Sequence, residues 1–192
     1  MTPIQKILIT ADRSYLELRS KNDYIEKFYL IILWMSDRLR KTEIKREEER
    51  SLILQALYAC EYNDDPWEIL LDRISTTNEI FVTPFVKQIV SWGIEHKDEI
   101  NKEITLKLRN WEYQRVAVID RIVLRMALVE LLYCEDIPPE VTMNEAIELG
   151  KKYSTEQSSR FINGILDAVY KKLKQEGRIS KSGRGLVSRI ME

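Results

Sequence analysis

The chain has 192 residues, with 30 basic and 31 acidic side chains for a net charge of -1, which excludes a polycationic nucleic-acid coat. Hydrophobic residues at 44% and charged residues at 32% describe a globular protein with a core, and a chain of this length buries roughly 70% of its unfolded surface without disulfide or metal. Six glycines and five prolines are too few turn-formers for many short strands, so long helices are expected. A single histidine, His96, and two cysteines, Cys60 and Cys134, lying 74 positions apart, remove most routes to a catalytic or metal centre. Both cysteines have apolar neighbours and read as buried, reduced thiols.

The N-terminus lacks the apolar core of a signal peptide, and the longest apolar run, Phe28 to Met35, spans eight residues against the ~20 a bilayer requires. The chain therefore reads as cytoplasmic, with no membrane partner. Tyr24 to Arg40 reads as a helix that must pack on the domain or on a second copy. From Ile44 to Tyr62, Ile53, Ala56, Leu57 and Cys60 recur at helical spacing. Asn63-Asp64-Asp65 stops that helix, and Pro66 suits the first position of the next. Thr83-Pro84 repeats the device and opens a helix to about His96. An amphipathic segment follows from Asp98 to Arg109.

Tyr113 to Cys134 is apolar nearly all round, the signature of a central, surrounded helix, and Pro138-Pro139 ends it. Thr142-Met143-Asn144-Glu145 reads as a capping box, and Ser154-Thr155-Glu156-Gln157 as a second. Ala146, Leu149, Gly150 and Tyr153 form a stripe after the first. Phe161, Ile162, Ile165, Val169 and Leu173 face inward after the second. Gly164 lies inside this last period, where close approach of a neighbouring helix would offset its ~1 kcal/mol cost. Periodicity fades from about Gly177.

No phosphate-cradling glycine loop exists, and Gly183-Arg184-Gly185 is too short for one. His96, in Glu95-His96-Lys97-Asp98, reads as a solvated helix end, and no carboxylate stands alone in an apolar setting that would mark a tuned acid. Nothing argues for an enzyme, a cofactor or a catalytic residue. Charge is unevenly spread: residues 45–68 carry three basic and seven acidic side chains, whereas 171–192 carry seven basic and two acidic. A basic tail is either a solvated terminus or an RNA contact.

Three stretches carry a family resemblance. Arg50 to Tyr58 is similar to the R-E-x-A-L-Q-A-L-Y opening of the NusB transcription antitermination proteins. Trp111 through Leu131, with Asp120-Arg121 and Leu124-Arg125-Met126-Ala127-Leu128-Val129-Glu130-Leu131, resembles that family's W…DR…LRxAxxEL helix. Val141 to Asp167 resembles its long N-E-A…F-[VI]-N-G-[VI]-L-D signature nearly position for position. The organisation implied is a helical N-terminal extension at 1–44, a NusB-like domain at 45–175 and a basic tail at 176–192.

The resemblance implies an all-α fold of two small packed helix bundles and no enzymatic activity. It implies binding to boxA RNA of ribosomal RNA transcripts, as a heterodimer with ribosomal protein NusE, within the antitermination complex of RNA polymerase. Single-stranded RNA of this kind is held by a cationic surface and by bases splayed onto side chains. The family's first helix supplies an R-R-x-x-R run. Here the run is Arg46-Glu47-Glu48-Glu49-Arg50, preceded by Lys45, with Arg46 and Arg50 on one helix face. Lys45, Arg46 and Arg50, with Gln157 and Arg160 at the start of the last helix, are thus the RNA-binding candidates. Tyr58 and Asp120 fall where the family faces its protein partner. Glu47 and Glu49 depart from the family pattern and imply weaker, less salt-dependent binding. Two other readings remain open: an RNA-recognition domain cut from a ribosomal RNA methyltransferase, and a homodimer or larger homo-oligomer whose extension covers the RNA face.

Overall fold

The computed structural model describes residues 45–108 and 112–181, and all of them lie within one compact unit. Regular structure among the described residues is entirely helical. In chain order the helices are α1 (Arg46–Cys60), α2 (Trp67–Asn78), α3 (Pro84–Glu95), α4 (Lys97–Thr105), α5 (Val118–Tyr133), α6 (Pro139–Tyr153) and α7 (Glu156–Gln175), with a 3-10 turn at Tyr113–Arg115. The expected helix at 24–40, the extension 1–44 and the distal tail from 182 lie outside the described residues, as does Trp111.

Helix α5 organises the rest. It packs against α1, α3 and α4 on one side and against α6 and α7 on the other, so a bundle of α1–α3 and a bundle of α5–α7 share it. Ile122 through Leu131 is continuously buried, which is why its sequence shows no polar face. It begins later than the periodicity predicts, at Val118 instead of Tyr113, because Val116 and Ala117 are extended. Burying Leu52, Ile53, Leu57, Ile89, Leu124 and Leu128 together contributes about 1.5–3 kcal/mol per side chain.

Several predicted boundaries hold and several move. Thr83 caps α3 by accepting from the Val86 amide at 3.3 Å, with Pro84 in the first helical position, as read. Pro66 is the residue before α2, not its first position. The Thr142 box is not a cap: α6 begins at Pro139, and Thr142 is a buried interior residue. The second box is displaced by one residue, with Thr155 and Ser158 exchanging the two hydrogen bonds expected of Ser154 and Gln157. Gly164 has open space around it, so no neighbouring helix needs its missing side chain. The close approach is at Gly150 instead, where an added Cβ would sit 2.6 Å from Ile162 Cδ1 across the α6–α7 contact. Cys134 is buried as expected, whereas Cys60 is only partly so. His96 bridges α3 and α4 with its ring stacked on Tyr133 at 4.5 Å, not free in solvent.

The start of the basic tail folds back. The Arg178 guanidinium meets Glu99 at 2.7 Å and Glu103 at 2.6 Å. Lys181 donates to the carbonyls of Glu130 and Cys134 at the end of α5, where helix-terminal oxygens carry partial negative charge. No helix among the described residues is long and apolar enough to cross a membrane.

Candidate functional site

The five RNA candidates and the partner candidate Asp120 fall into three places, and Tyr58 stands apart on the surface of α1. The first is the start of α1. Lys45 is exposed at the N-cap, and Arg46 keeps 55% of its side chain in solvent. The Arg46 guanidinium lies over the Phe85 ring, Cζ to centroid 4.2 Å, and donates from Nη1 to Glu49 Oε2 at 2.9 Å. Glu49 is itself buried, and its other oxygen accepts from Thr83 Oγ1 at 2.6 Å. Three glutamates in this first turn also suit the positive end of the helix dipole.

Arg50 does not join that surface. It shares a helix face with Arg46, as predicted, but lies one turn deeper, with 4% of its side chain exposed. Its Nε and Nη2 donate to the two oxygens of Glu130 at 2.8 and 2.9 Å, and Nη1 lies 3.3 Å from Glu145. Thr142 Oγ1 donates to the same Glu130 carboxylate. Burial opposes charge on Arg50, yet the Glu130 hydrogen bonds, reinforced by Glu145 and Glu49, hold its pKa above the ordinary value. Arg50 ties α1, α5 and α6 together and offers no donor to a phosphate.

The second place is the junction of α6 and α7. Lys152, in the last turn of α6, reaches Glu47 in the first turn of α1 at 3.3 Å. Glu47, which stands where the family carries a second arginine, thus has a cation supplied from another helix. A groove of about 240 Å³ lies between the start of α1 and α6, lined by Glu47, Glu145, Glu148, Leu149, Lys151 and Lys152. Beyond the junction, Gln157 and Arg160 are both exposed on the first turns of α7.

The third is a cleft of about 310 Å³ between the approach to α5 and the start of α7. Asp120 and Gln157, assigned separate roles from sequence, line it together, with Arg115, Thr155, Ser158 and Phe161 among the other walls. Asp120 is buried, and its Oδ1 has no hydrogen-bond partner among the described residues. Arg160 does not line this cleft. Tyr58 is 42% exposed on α1 with its ring 5.1 Å from that of Tyr62, a half-open aromatic pair on the protein surface. Phe85, Lys152 and Phe161 escaped the sequence reading. The Lys151-Lys152 doublet in the last turn of α6 was the one available signal, since Phe161 read as core and Phe85 followed the Thr83-Pro84 start with nothing to mark it.

A helical binding module with an arginine–aromatic corner, an open tyrosine pair and a cleft of mixed polar and apolar lining is the class of protein that these features define. Among the described residues no group of His, Cys, Asp and Glu could hold a metal ion. The NusB family model matches residues 47–171. The transcription antitermination protein NusB of Chloroherpeton thalassium is 41% identical over 147 residues, covering 75% of this chain and 70% of that protein. A NusB structure from T. maritima superposes with a TM-score of 0.60 at 36% identity, covering 69% of this chain and 97% of that one. A structure of the antitermination factors NusB and NusE in complex with dsRNA superposes at 0.61 and 25% identity, covering 66% of this chain and 96% of that one. The chain belongs to the NusB family. It is accordingly a non-enzymatic factor.

Proposed function

We propose that this protein is a transcription antitermination factor that binds boxA RNA of ribosomal RNA transcripts as a heterodimer with ribosomal protein NusE. Such a heterodimer would act within the RNA polymerase antitermination complex, and so in the cytoplasm. The observation that carries the reading is the corner at the start of α1, where Lys45 and Arg46 remain exposed beside Phe85. Family membership and the structural likeness to a NusB–NusE–RNA complex support it. Gln157 and Arg160 extend the RNA face from the α6–α7 junction. Tyr58 and the cleft at Asp120 are the partner-facing surface. Arg50 acts in this reading by holding α1 in place and not by touching RNA.

Two exposed cations contribute on the order of 1 kcal/mol per close phosphate at water-like dielectric, so RNA affinity of the isolated chain is weak. NusE is the natural supplier of a second cationic surface. Titrating labelled boxA RNA with the chain alone and with NusE tests this directly. Binding should tighten at least tenfold when NusE is added and should weaken with salt. Equal and negligible binding in both titrations at low salt would refute the proposal.

A further inference from the structure

We propose that Arg46 is a stacking shelf for an unpaired RNA base, and that Glu49, Thr83 and Phe85 are the residues that hold it flat. The inference rests on the RNA-binding reading above and goes beyond it by naming what the side chain takes, the π-face of a base instead of a phosphate oxygen.

The geometry begins inside the protein and ends at the surface. Thr83 is fixed as the cap of α3, and its hydroxyl donates to Glu49 Oε1. Glu49, with only 5% of its side chain exposed, turns its second oxygen to Arg46 Nη1. The guanidinium so gripped sits with Cζ 4.2 Å above the centre of the Phe85 ring, which is stacking separation. The ring lies on one side of the guanidinium, Nη1 is taken by Glu49, and 55% of the side chain is left in solvent to meet a ligand. A planar cation backed by an aromatic ring is a surface on which splayed bases stack.

Phosphate is the poorer occupant. Glu49 already takes one edge of the guanidinium, Glu47 is paired with Lys152 and Glu48 stands in the same turn, so little net positive charge is left for an incoming anion. A base brings no net charge and needs the plane. Glu49, one of the two glutamates that depart from the family pattern, is therefore a positioning residue, and its effect on RNA binding has the opposite sign to the repulsion that its charge suggests.

The test uses the full chain with NusE and labelled single-stranded boxA RNA, together with a series of RNAs each carrying one abasic position. Arg46→Lys keeps the charge and removes the plane. It should weaken binding about five- to hundredfold, the range of a lost base stack, while the salt slope stays unchanged. One abasic RNA should lose as much with the wild type and nothing further with Arg46→Lys. Glu49→Ala should weaken binding several-fold in the wild-type background and have no effect beside Arg46→Lys, whereas Glu49→Gln should restore most of the loss. Phe85→Leu provides a second variant should Glu49→Ala fold poorly, and it too should weaken binding only where Arg46 is present.

If Arg46→Lys binds as the wild type does while Arg46→Ala weakens binding and lowers the salt slope, the side chain contacts phosphate and the shelf is wrong. If Glu49→Ala and Glu49→Gln both strengthen binding, the glutamate only repels RNA and the positioning role is wrong. Wild-type heterodimer that binds no boxA RNA at all removes the functional reading itself, an outcome distinct from either.

Discussion

Replacing Glu130 by Ala is the sharpest probe of why Arg50 is not a surface cation. The substitution leaves a guanidinium with 4% exposure whose remaining ion pair is with Glu145, at 3.3 Å, aided by the more distant Glu49, and leaves the Thr142 hydroxyl without its acceptor. Removing one partner of a buried pair costs about 3–5 kcal/mol, most of it the penalty of the stranded charge. Glu145 is one-third exposed and offsets part of this, so about 3 kcal/mol is expected. Against a domain stability of about 5–15 kcal/mol, the loss is large. With a urea dependence of about 1–3 kcal/mol per molar, the unfolding midpoint should fall by ~1.5 M.

The paired control separates charge from packing. Arg50→Met combined with Glu130→Leu removes both charges and keeps comparable volume, and such swaps in buried pairs are near neutral or stabilising. That variant should unfold within about 1–2 kcal/mol of wild type, the remaining cost being the Thr142 hydroxyl left without its acceptor, and keep its RNA affinity, since neither side chain touches RNA. A midpoint for Glu130→Ala within about 1 kcal/mol of wild type would refute the buried-pair account. Loss of RNA binding by the folded double variant would return Arg50 to the RNA surface.

Three further outcomes follow from the same geometry. Glu61 is opposed in its ionisation by burial, but hydrogen bonds from Arg125 and Lys97 carry its pKa below the ordinary 4.5, and Lys172 and Arg178 do the same for Glu103. Their stabilisation is complete above the unfolded-state value and is lost as pH falls through the depressed values, so stability should drop below about pH 4.5, and Glu61→Gln with Glu103→Gln should flatten that fall in urea titrations. Gly164→Ala should raise stability by about 0.5–1 kcal/mol, read as a higher thermal midpoint, because the position is helical and a Cβ there meets nothing within 4 Å. Cys134, its thiol pushed up to about 11 by burial and then by Glu130 and Asp136, should react with iodoacetamide at pH 8 at least tenfold more slowly in the native protein than in urea, as peptide mapping would measure.

The helical class, the buried central helix and the Thr83-Pro84 start are legible in the sequence because each rests on neighbours within one or two turns. What failed rests on distant residues. Thr142 has the chemistry of a cap, but Pro139 starts the helix three residues earlier, and the hydroxyl serves a carboxylate on α5. Gly164 and Gly150 look alike in the pattern, and only the crossing of α6 and α7 tells which one must be small. At the candidate site, spacing of four puts Arg46 and Arg50 on one face correctly. Spacing gives direction around a helix axis and says nothing about depth, and Arg50's partner Glu130 lies 80 positions away. Asp120 and Gln157 line one cleft for the same reason, since only the packing of α7 against the start of α5 brings them together.

Charge counting along the chain fails in an instructive way. Residues 45–68 hold four more acidic than basic side chains, which from sequence argues against an RNA-facing first helix. Yet Glu47 takes Lys152, Glu61 takes both Lys97 and Arg125, and Asp65 takes Arg73, so four cations from elsewhere in the chain stand against that excess. Only Arg125 among them is buried, and the exposed pairs contribute little to stability, about 0–1 kcal/mol each. Their consequence is electrostatic instead: within a Debye length of ~8 Å, a carboxylate beside a lysine presents a dipole and not a net charge. At the start of α1 an approaching RNA therefore meets Glu47 already paired with Lys152, with Lys45 and the exposed part of Arg46 beside it. Recognition at such a surface depends on shape and stacking more than on counterion release, which places the discriminating measurement on Arg46→Lys at constant charge.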